Sequence, residues 1–236
     1  MLSLSSIEPN LVNERKFTGP SGSLPFVLAL LDSRCLPDAN YPVGHINSVY
    51  FDTIAKRSYW EKANGDHLKM KVRLRWYGLP AEQSGDIPAF LELKYRIGSA
   101  RRKVRLDLTL DADWLCRTPL SDPSFLDFLA AHESDLGEPV GTDWAPTACI
   151  SYDRVRYDDP LGGSRVAVDW NIRAERFNET IFPWAVPVAL DEVVCEFKNK
   201  GGHPPSWAEA MAGAGFRLRS FSKYGECMSR LMDGVQ

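Results

Sequence analysis

The sequence predicts an α+β protein: a closed eight-stranded antiparallel β-barrel with helices packed on its outside. Three observations point there. First, Leu68–Leu106 alternates charge with hydrocarbon: Lys69, Lys71, Arg73 and Arg75 interleave with Met70, Val72, Leu74 and Trp76, and Glu92 and Lys94 interleave with Leu91, Leu93 and Tyr95. Successive side chains of a strand point to opposite faces, so each segment has one apolar and one charged face. Second, pairs two residues apart recur at Glu14/Lys16, Tyr152/Arg154, Asp169/Asn171 and Glu196/Lys198. Third, about eight strands close a barrel wide enough for side chains and one slender ligand, and closure removes exposed edges. A single alternating strand reads more readily as the solvated face of a sheet. Recurrence along the chain favours charged faces turned inward, which makes a cationic bore with a few carboxylates, a site for a polyanion and a divalent metal.

Residues 1–10 read as a loose leader, and Leu11–Phe17 as the first strand with Glu14 and Lys16 on one face. Pro20–Arg34 is a helix: Ser21 or Ser23 caps it, Pro25 suits its first turn, and Phe26, Val27, Leu30 and Leu31 form a stripe. Pro37–Gly44 is a loop. His45–Thr53 is a strand with Ser48, Tyr50 and Asp52 on one face, although Asp52 also reads as a cap of the next turn. A helical turn and a loop follow over Ile54–Asp66. Lys69–Tyr77, Phe90–Arg96 and Arg101–Leu106 are the three charged strands, separated by a loop at Leu79–Pro88 and a hairpin turn at Gly98–Ala100. Ser121–Gly137 is a second helix, capped by Ser121 or Asp122. Ala148–Tyr157 and Arg165–Arg173 form an antiparallel pair, and Glu192–Phe197 is the last strand. Ser206 and Glu209 have capping-box spacing for a helix ending near Gly213–Gly215. Ser222–Met232 is the final helix, packing through Tyr224, Met228, Leu231 and Met232. Nothing marks a domain boundary, so 1–236 reads as one domain.

At 236 residues and 44% hydrophobic content the chain can bury a proper core. A net charge of −3 excludes a generally basic binder of duplex DNA. The charge is segregated instead: ten Lys and Arg against three Asp and Glu over Lys69–Arg105, then nine Asp and Glu against Arg117 alone over residues 107–143. Five isolated cysteines, with no C-x-x-C pair, argue against a disulfide framework or a zinc site. With no signal sequence and no apolar run long enough for a membrane span, the expectation is a soluble cytoplasmic chain. His45, His67, His132 and His203 are scattered without metal-ligand spacing. Nucleotide-loop motifs are absent, and Gly201-Gly202 lacks the Lys-Ser/Thr that a phosphate loop needs. Trp76, Trp170 and Trp184 read as packing residues, and Asp169 reads equally as an acid of the bore or as an arginine's partner.

Eight short motifs in order, ERKF (14–17), SVYFDT (48–53), KVRLR (71–75), LELK (91–94), SYDR (151–154), VDWNIR (168–173), CEFK (195–198) and SFSKY (220–224), resemble the VTC (vacuolar transporter chaperone) polyphosphate-polymerase domain. That family belongs to the triphosphate tunnel metalloenzymes, relatives of the CYTH domains. The resemblance runs from about residue 8 to about 230. It implies a closed barrel that binds triphosphate or polyphosphate in its bore. Arg73, Arg75, Lys94, Arg154 and Lys223 are the implied catalytic residues. Lys16, Lys103 (or Arg102), Tyr152, Lys198 and Ser222 are the implied phosphate ligands. Glu196, with Glu92 or Glu14, is the implied holder of Mg²⁺ or Mn²⁺. One departure stands at Ser220, where the family has a basic residue; Arg217 and Arg219 are the replacements to consider. The chain carries neither the phosphate-sensing domain nor the membrane segments that accompany the eukaryotic domain. The implied reaction is polyphosphate synthesis from the γ-phosphate of ATP or another nucleoside triphosphate. The alternatives are a tripolyphosphatase or nucleoside triphosphatase on the same scaffold, a non-catalytic polyphosphate- or nucleotide-binding module, and a β-rich structural domain.

Overall fold

Alternation makes strands here because each charged segment has a hydrocarbon face to bury, and the register decides which face that is. The computed structural model describes residues 13–66, 68–97, 100–137, 141, 143–199 and 203–234. In chain order these form β1 (Asn13–Pro20), α1 (Leu24–Asp32), β2 (Leu36–Pro37), β3 (Val43–Thr53), α2 (Arg57–Ala63), β4 (Leu68–Tyr77), β5 (Asp86–Ile97) and β6 (Ala100–Asp111). Then come α3 (Ala112–Arg117), α4 (Ser124–Ala131), α5 (Glu133–Leu136), β7 (Trp144–Asp158), β8 (Arg165–Phe177), β9 (Val188–Ala189), β10 (Glu192–Asn199), α6 (Ala210–Gly213), β11 (Arg217–Leu218) and α7 (Lys223–Asp233).

Hydrogen-bonded neighbours run β11-β1-β10-β8-β7-β3-β4-β5-β6, with β2 also on β7 and β9 also on β8. Every pairing whose register is described is antiparallel. Among the described residues the sheet thus has eleven strands, nine of them along an open path, which corrects the closed eight-stranded barrel expected from the sequence. The added strands β2, β9 and β11 are two residues long, formed where a connection returns beside a longer strand, and alternation cannot reveal them. The path ends at the two-residue β11, which takes the outer edge of β1. Phe17 pairs with Leu218 and Thr18 with Arg217, and the Arg219 N–H donates to the Lys16 carbonyl. At the other end β6, which has no second strand partner among the described residues, carries Arg102, Lys103, Arg105 and Asp107, charges that blunt such an edge.

The chain divides into two compact units, each discontinuous in sequence. The first takes the described residues up to Pro42 with Val155–Val168 and Val193–Ser220. The second takes Val43–Arg154, Asp169–Glu192 and the described residues from Phe221 on. In the first unit, Val27, Leu31, Phe197, Met211 and Phe216 are buried, and Phe197 meets Phe17 edge-on at 5.6 Å. In the second, Val49, Leu74, Leu91 and Leu106 form one cross-strand row, and Tyr50, Arg73, Glu92 and Arg105 form the next. The apolar rows pack against Leu115, Phe125, Leu129 and Leu136 of the α3–α5 segment. Each such side chain contributes about 1.5–3 kcal/mol by leaving water. A one-residue slip would exchange the two faces, so this core sets where the charges go.

Several local expectations are revised. The single helix expected over Ser121–Gly137 is two, α4 and α5, parted at His132, and α3 precedes them with Asp111 accepting from Trp114 N–H. Asp122, rather than Ser121, accepts the Ser124 N–H at 2.8 Å. Ser23 is the N-cap of α1, yet its hydroxyl donates to the Ala214 carbonyl, and only Val27 and Leu31 of the stripe are buried. Ser206–Glu209 is itself a 3₁₀ turn after Pro205, so there is no capping box. In α7 Cys227 takes the buried place expected for Met232. Asn171 has a left-handed φ of 53°, which breaks parity, leaving Asp169 buried and Asn171 exposed. The leader (1–10), the first two residues of the first expected strand, His67, the hairpin turn at 98–99 and Gly201-Gly202 lie outside the described residues. Among those described, no helix is long and apolar enough to cross a membrane.

Gly19 tests the packing of the first unit. A methyl group there would lie 2.7 Å from the buried Phe216 ring. Gly19→Ala should lower stability by about 1–3 kcal/mol through overpacking, read as a shifted denaturation midpoint. An unchanged midpoint would mean that β1 and Phe216 do not approach this closely.

Candidate functional site

Glu92 is the centre of the charged face in the second unit. Its Oε2 accepts from Arg73 Nε at 2.7 Å and lies 2.5 Å from Arg73 Nη2, while Oε1 pairs with Lys103 Nζ at 2.9 Å. Arg75 Nη1 stands 4.0 Å away, while Arg75 Nε donates to Ser48 Oγ (3.2 Å) and its Nη2 to the Tyr152 hydroxyl (3.1 Å). Burial alone would raise the Glu92 carboxyl, but Arg73, Arg75 and Lys103 outweigh it and hold the group far below the usual carboxylate range. Tyr50 behaves alike: burial pushes its hydroxyl up, yet the neighbouring Arg73 and Arg75 bring it below its ordinary value.

Asp169 is the second anchor. It receives Arg154 through Nε (2.5 Å) and Nη2 (2.7 Å), the bidentate fork that suits a carboxylate, and Lys223 Nζ at 2.5 Å. Burial opposes its ionisation, and Lys223 and Arg154 overcome that, so its pKa is lowered. Tyr152 joins the two anchors. Its hydroxyl accepts from Arg75, and its ring lies under Lys223 Nζ, 4.3 Å from the centroid.

Helix α7 supplies the third part. Ser222 caps it, its Oγ accepting from Gly225 N–H at 3.2 Å and from Lys71 Nζ at 2.8 Å. Tyr224 stacks on Tyr50 (5.2 Å) and donates to Asp52 Oδ2 at 2.7 Å. Asp52 is fully buried and also accepts the Thr53, Ser58 and Tyr59 N–H groups, so it caps α2 and anchors α7 at once. Of these cations Arg73 is 15% exposed, Arg75 10%, Arg154 13% and Lys223 11%, too withdrawn for a merely solvated sheet face.

Eight residues singled out from the sequence therefore share one network in the second unit: Arg73, Arg75, Glu92, Lys103, Tyr152, Arg154, Ser222 and Lys223. Lys94 lies on the same face, paired in register with Lys71 and Lys103, and is exposed. The other four lie in the first unit. There Lys16 pairs with Glu14 at 3.0 Å and with Glu196 at 3.7 Å, and Lys198 pairs with Glu196 at 2.6 Å. Burial and Glu196 raise the Glu14 carboxyl, Lys16 and Lys198 lower it, and the net direction is down. Arg217 donates to the Ala212 and Phe216 carbonyls, so that arginine is spent on its own turn. Lys71 and Tyr50 join the site beyond the residues expected from the sequence, through Ser222 and Arg73, and their sequence signal is the Lys71-x-Arg73-x-Arg75 alternation and SVYFDT. Among the described residues no group of three or more His, Cys, Asp or Glu could hold a metal ion on its own.

Residues 13–232 match the VTC domain family. No curated protein sequence matches this chain. Among solved structures, a candidate adenylyl cyclase from Hippeastrum described as having a dominant triphosphatase activity matches with a TM-score of 0.51 at 14% identity, over 92% of this chain and 95% of that one. A candidate adenylate cyclase from Bacillus halodurans matches with a TM-score of 0.52 at 9% identity, over 89% and 93%. At these identities the likeness is one of fold.

Asp169→Asn would leave Arg154 and Lys223 without their buried anion, at a cost of about 3–5 kcal/mol near neutral pH. The native carboxyl has a lowered pKa, so its contribution is full above the unfolded value of about 3.9 and is lost as pH falls through the folded value. Denaturant melts of both proteins should show a gap that closes on acidification. A gap that does not depend on pH would mean that the Asp169 charge is not what stabilises.

Proposed function

The chain belongs to the VTC-domain family, and on that premise we propose that it catalyses metal-dependent phosphoryl transfer, extending polyphosphate with the γ-phosphoryl group of ATP. One observation carries this reading. Lys71, Arg73, Arg75, Lys94, Lys103, Arg154 and Lys223 are gathered in one unit, with Arg73 and Lys103 paired to Glu92 and with Arg154 and Lys223 paired to Asp169. A partly desolvated surplus of positive charge attracts a polyanion strongly.

In the transfer, a terminal oxygen of the acceptor chain bonds to the γ-phosphorus while the bond to the β–γ bridging oxygen breaks. The nucleoside diphosphate leaves with the electron pair, and no covalent enzyme intermediate is needed. Arg73, Arg75 and Arg154 fork onto non-bridging oxygens. Lys94, Lys103 and Lys223 add ammonium charge. Tyr152 and Ser222 donate hydroxyl hydrogen bonds, and the first-turn N–H groups of α7 face an anion favourably. Glu92 and Asp169 hold the arginines in place before the substrate arrives, which suits a reaction governed by alignment and charge.

Glu196 and Glu14 fit a divalent cation, being hard oxygen donors that both face the Lys16 ammonium, with Lys198 also on Glu196. Mg²⁺ or Mn²⁺ takes one or two carboxylates and completes its shell with phosphate oxygens and water. When bound, it neutralises phosphate charge and polarises the phosphoryl group. We assign Glu92 to holding Arg73 and Lys103 rather than to the metal, because the Arg73 guanidinium approaches its Oε2 through two nitrogens, at 2.7 and 2.5 Å. The free thiols suit a reducing cytoplasm as the place of action.

A second reading, hydrolysis with water as acceptor, is favoured by the triphosphatase activity described for the Hippeastrum protein and would use the same residues. Incubation with ATP and Mn²⁺, then Mg²⁺, followed by resolving the products by size, separates the two. Long phosphate polymers are expected, and Arg73→Ala or Lys223→Ala should reduce their formation about 100-fold or more. Free phosphate without polymer moves the assignment to hydrolysis. Bound ATP without turnover under either metal overturns the enzymatic reading.

A further inference from the structure

The charged face of the second unit changes chemistry at one end. Along β4 its positions run Lys71, Arg73, Arg75 and then Tyr77; along β5 they run Lys94, Glu92 and then Phe90. Register sets Phe90 between Arg75 and Asp107. Tyr77 meets Phe90 edge-on, with centroids 5.7 Å apart at 69°. The Arg105 guanidinium lies 3.7 Å from the Phe90 centroid, and its Nε donates to Asp107 at 2.9 Å. None of this belongs to the apolar core, which occupies the other face of the same strands. Tyr77 is 40% exposed and the Arg105 side chain 41%.

We propose that Phe90, Tyr77 and Arg105 form a nucleobase subsite, so that a nucleoside triphosphate lies along β4 with its base at Tyr77 and its phosphates toward Lys71 and Lys103. The proposal rests on the phosphoryl-transfer reading above and adds the orientation of the donor. A base is a flat, polarisable ring. It gains from a guanidinium that is itself stacked on a phenyl ring, and from the neighbouring phenol. Asp107, largely exposed, offers an acceptor for base N–H or ribose hydroxyl groups. From Tyr77 to Arg75 is two residues and to Arg73 four, about 6.6 and 13 Å along a strand, so a ribose fits beside Tyr77 and the phosphates meet Arg75 and then Arg73. Inorganic polyphosphate has no base and gains nothing at this end. The nucleotide is therefore oriented with its γ-phosphorus toward Lys71, Ser222 and Lys103, the side from which the acceptor chain arrives.

The test compares calorimetric binding of ATP and of inorganic tripolyphosphate, both with Mg²⁺, to the full chain and its variants. In Tyr77→Ala and Phe90→Ala the ATP Kd should rise at least about fivefold, the low end for removing one base–aromatic stack, while the tripolyphosphate Kd stays within about twofold. Tyr77→Phe should retain ATP binding. Unchanged tripolyphosphate affinity also reports that a variant is folded. If both ligands weaken together, or neither weakens, the subsite is overturned and the phosphate reading stands. If the native chain binds neither ligand, the phosphate reading falls and the subsite with it.

Discussion

The pairing of the charged strands in the second unit depends on one carboxylate, Glu92, set among Arg73, Lys103 and Arg75. Same-face positions on a strand repeat at about 6.8 Å, so neighbouring like charges repel by roughly 2 kcal/mol at an effective dielectric of 20. Three strands that each present cations on one side would therefore resist pairing. One anion shared by three cations offsets several of these repulsions at once. Burial opposes its ionisation, and the cations win, so it stays charged where water is scarce.

Asp169 repeats the device for Arg154 and Lys223, and Tyr152 couples the two anchors through its hydroxyl and its ring. The network is rigid as well as neutralised in part. Each arginine is fixed by at least two groups, and α7 is fixed through Tyr224 on buried Asp52. What remains is a preorganised excess of positive charge, the arrangement that catalysis of phosphoryl transfer asks of a protein.

The apolar face is the other half of the same constraint. Packing Val49, Val72, Leu74, Leu91 and Leu93 against the α3–α5 segment leaves the alternate residues only one direction to point. Core packing thus specifies the charged face, although none of its charges take part in the core. At the Tyr77–Phe90 end the alternation continues while the chemistry turns aromatic, so a single strand pattern builds two kinds of surface.

The eight long strands, the charged parity of Arg73, Arg75, Glu92 and Lys94, and the Ser222 cap of α7 were legible in the sequence because they follow from local rules, a period of two and a capping geometry. The family was legible too, through short motifs lying on strands of matching parity. Local rules could not show that β1's edge is occupied by β11, that β2 and β9 pair as two-residue strands, or that the sheet forms an open path. Nor could they show that Asn171 leaves the parity of Asp169, or that Lys71 meets Ser222 and Tyr224 meets Asp52 across gaps of 151 and 172 residues. Alternation determines which face a side chain takes. The partner it finds there depends on loop closure and edge occupancy, which are properties of the folded chain.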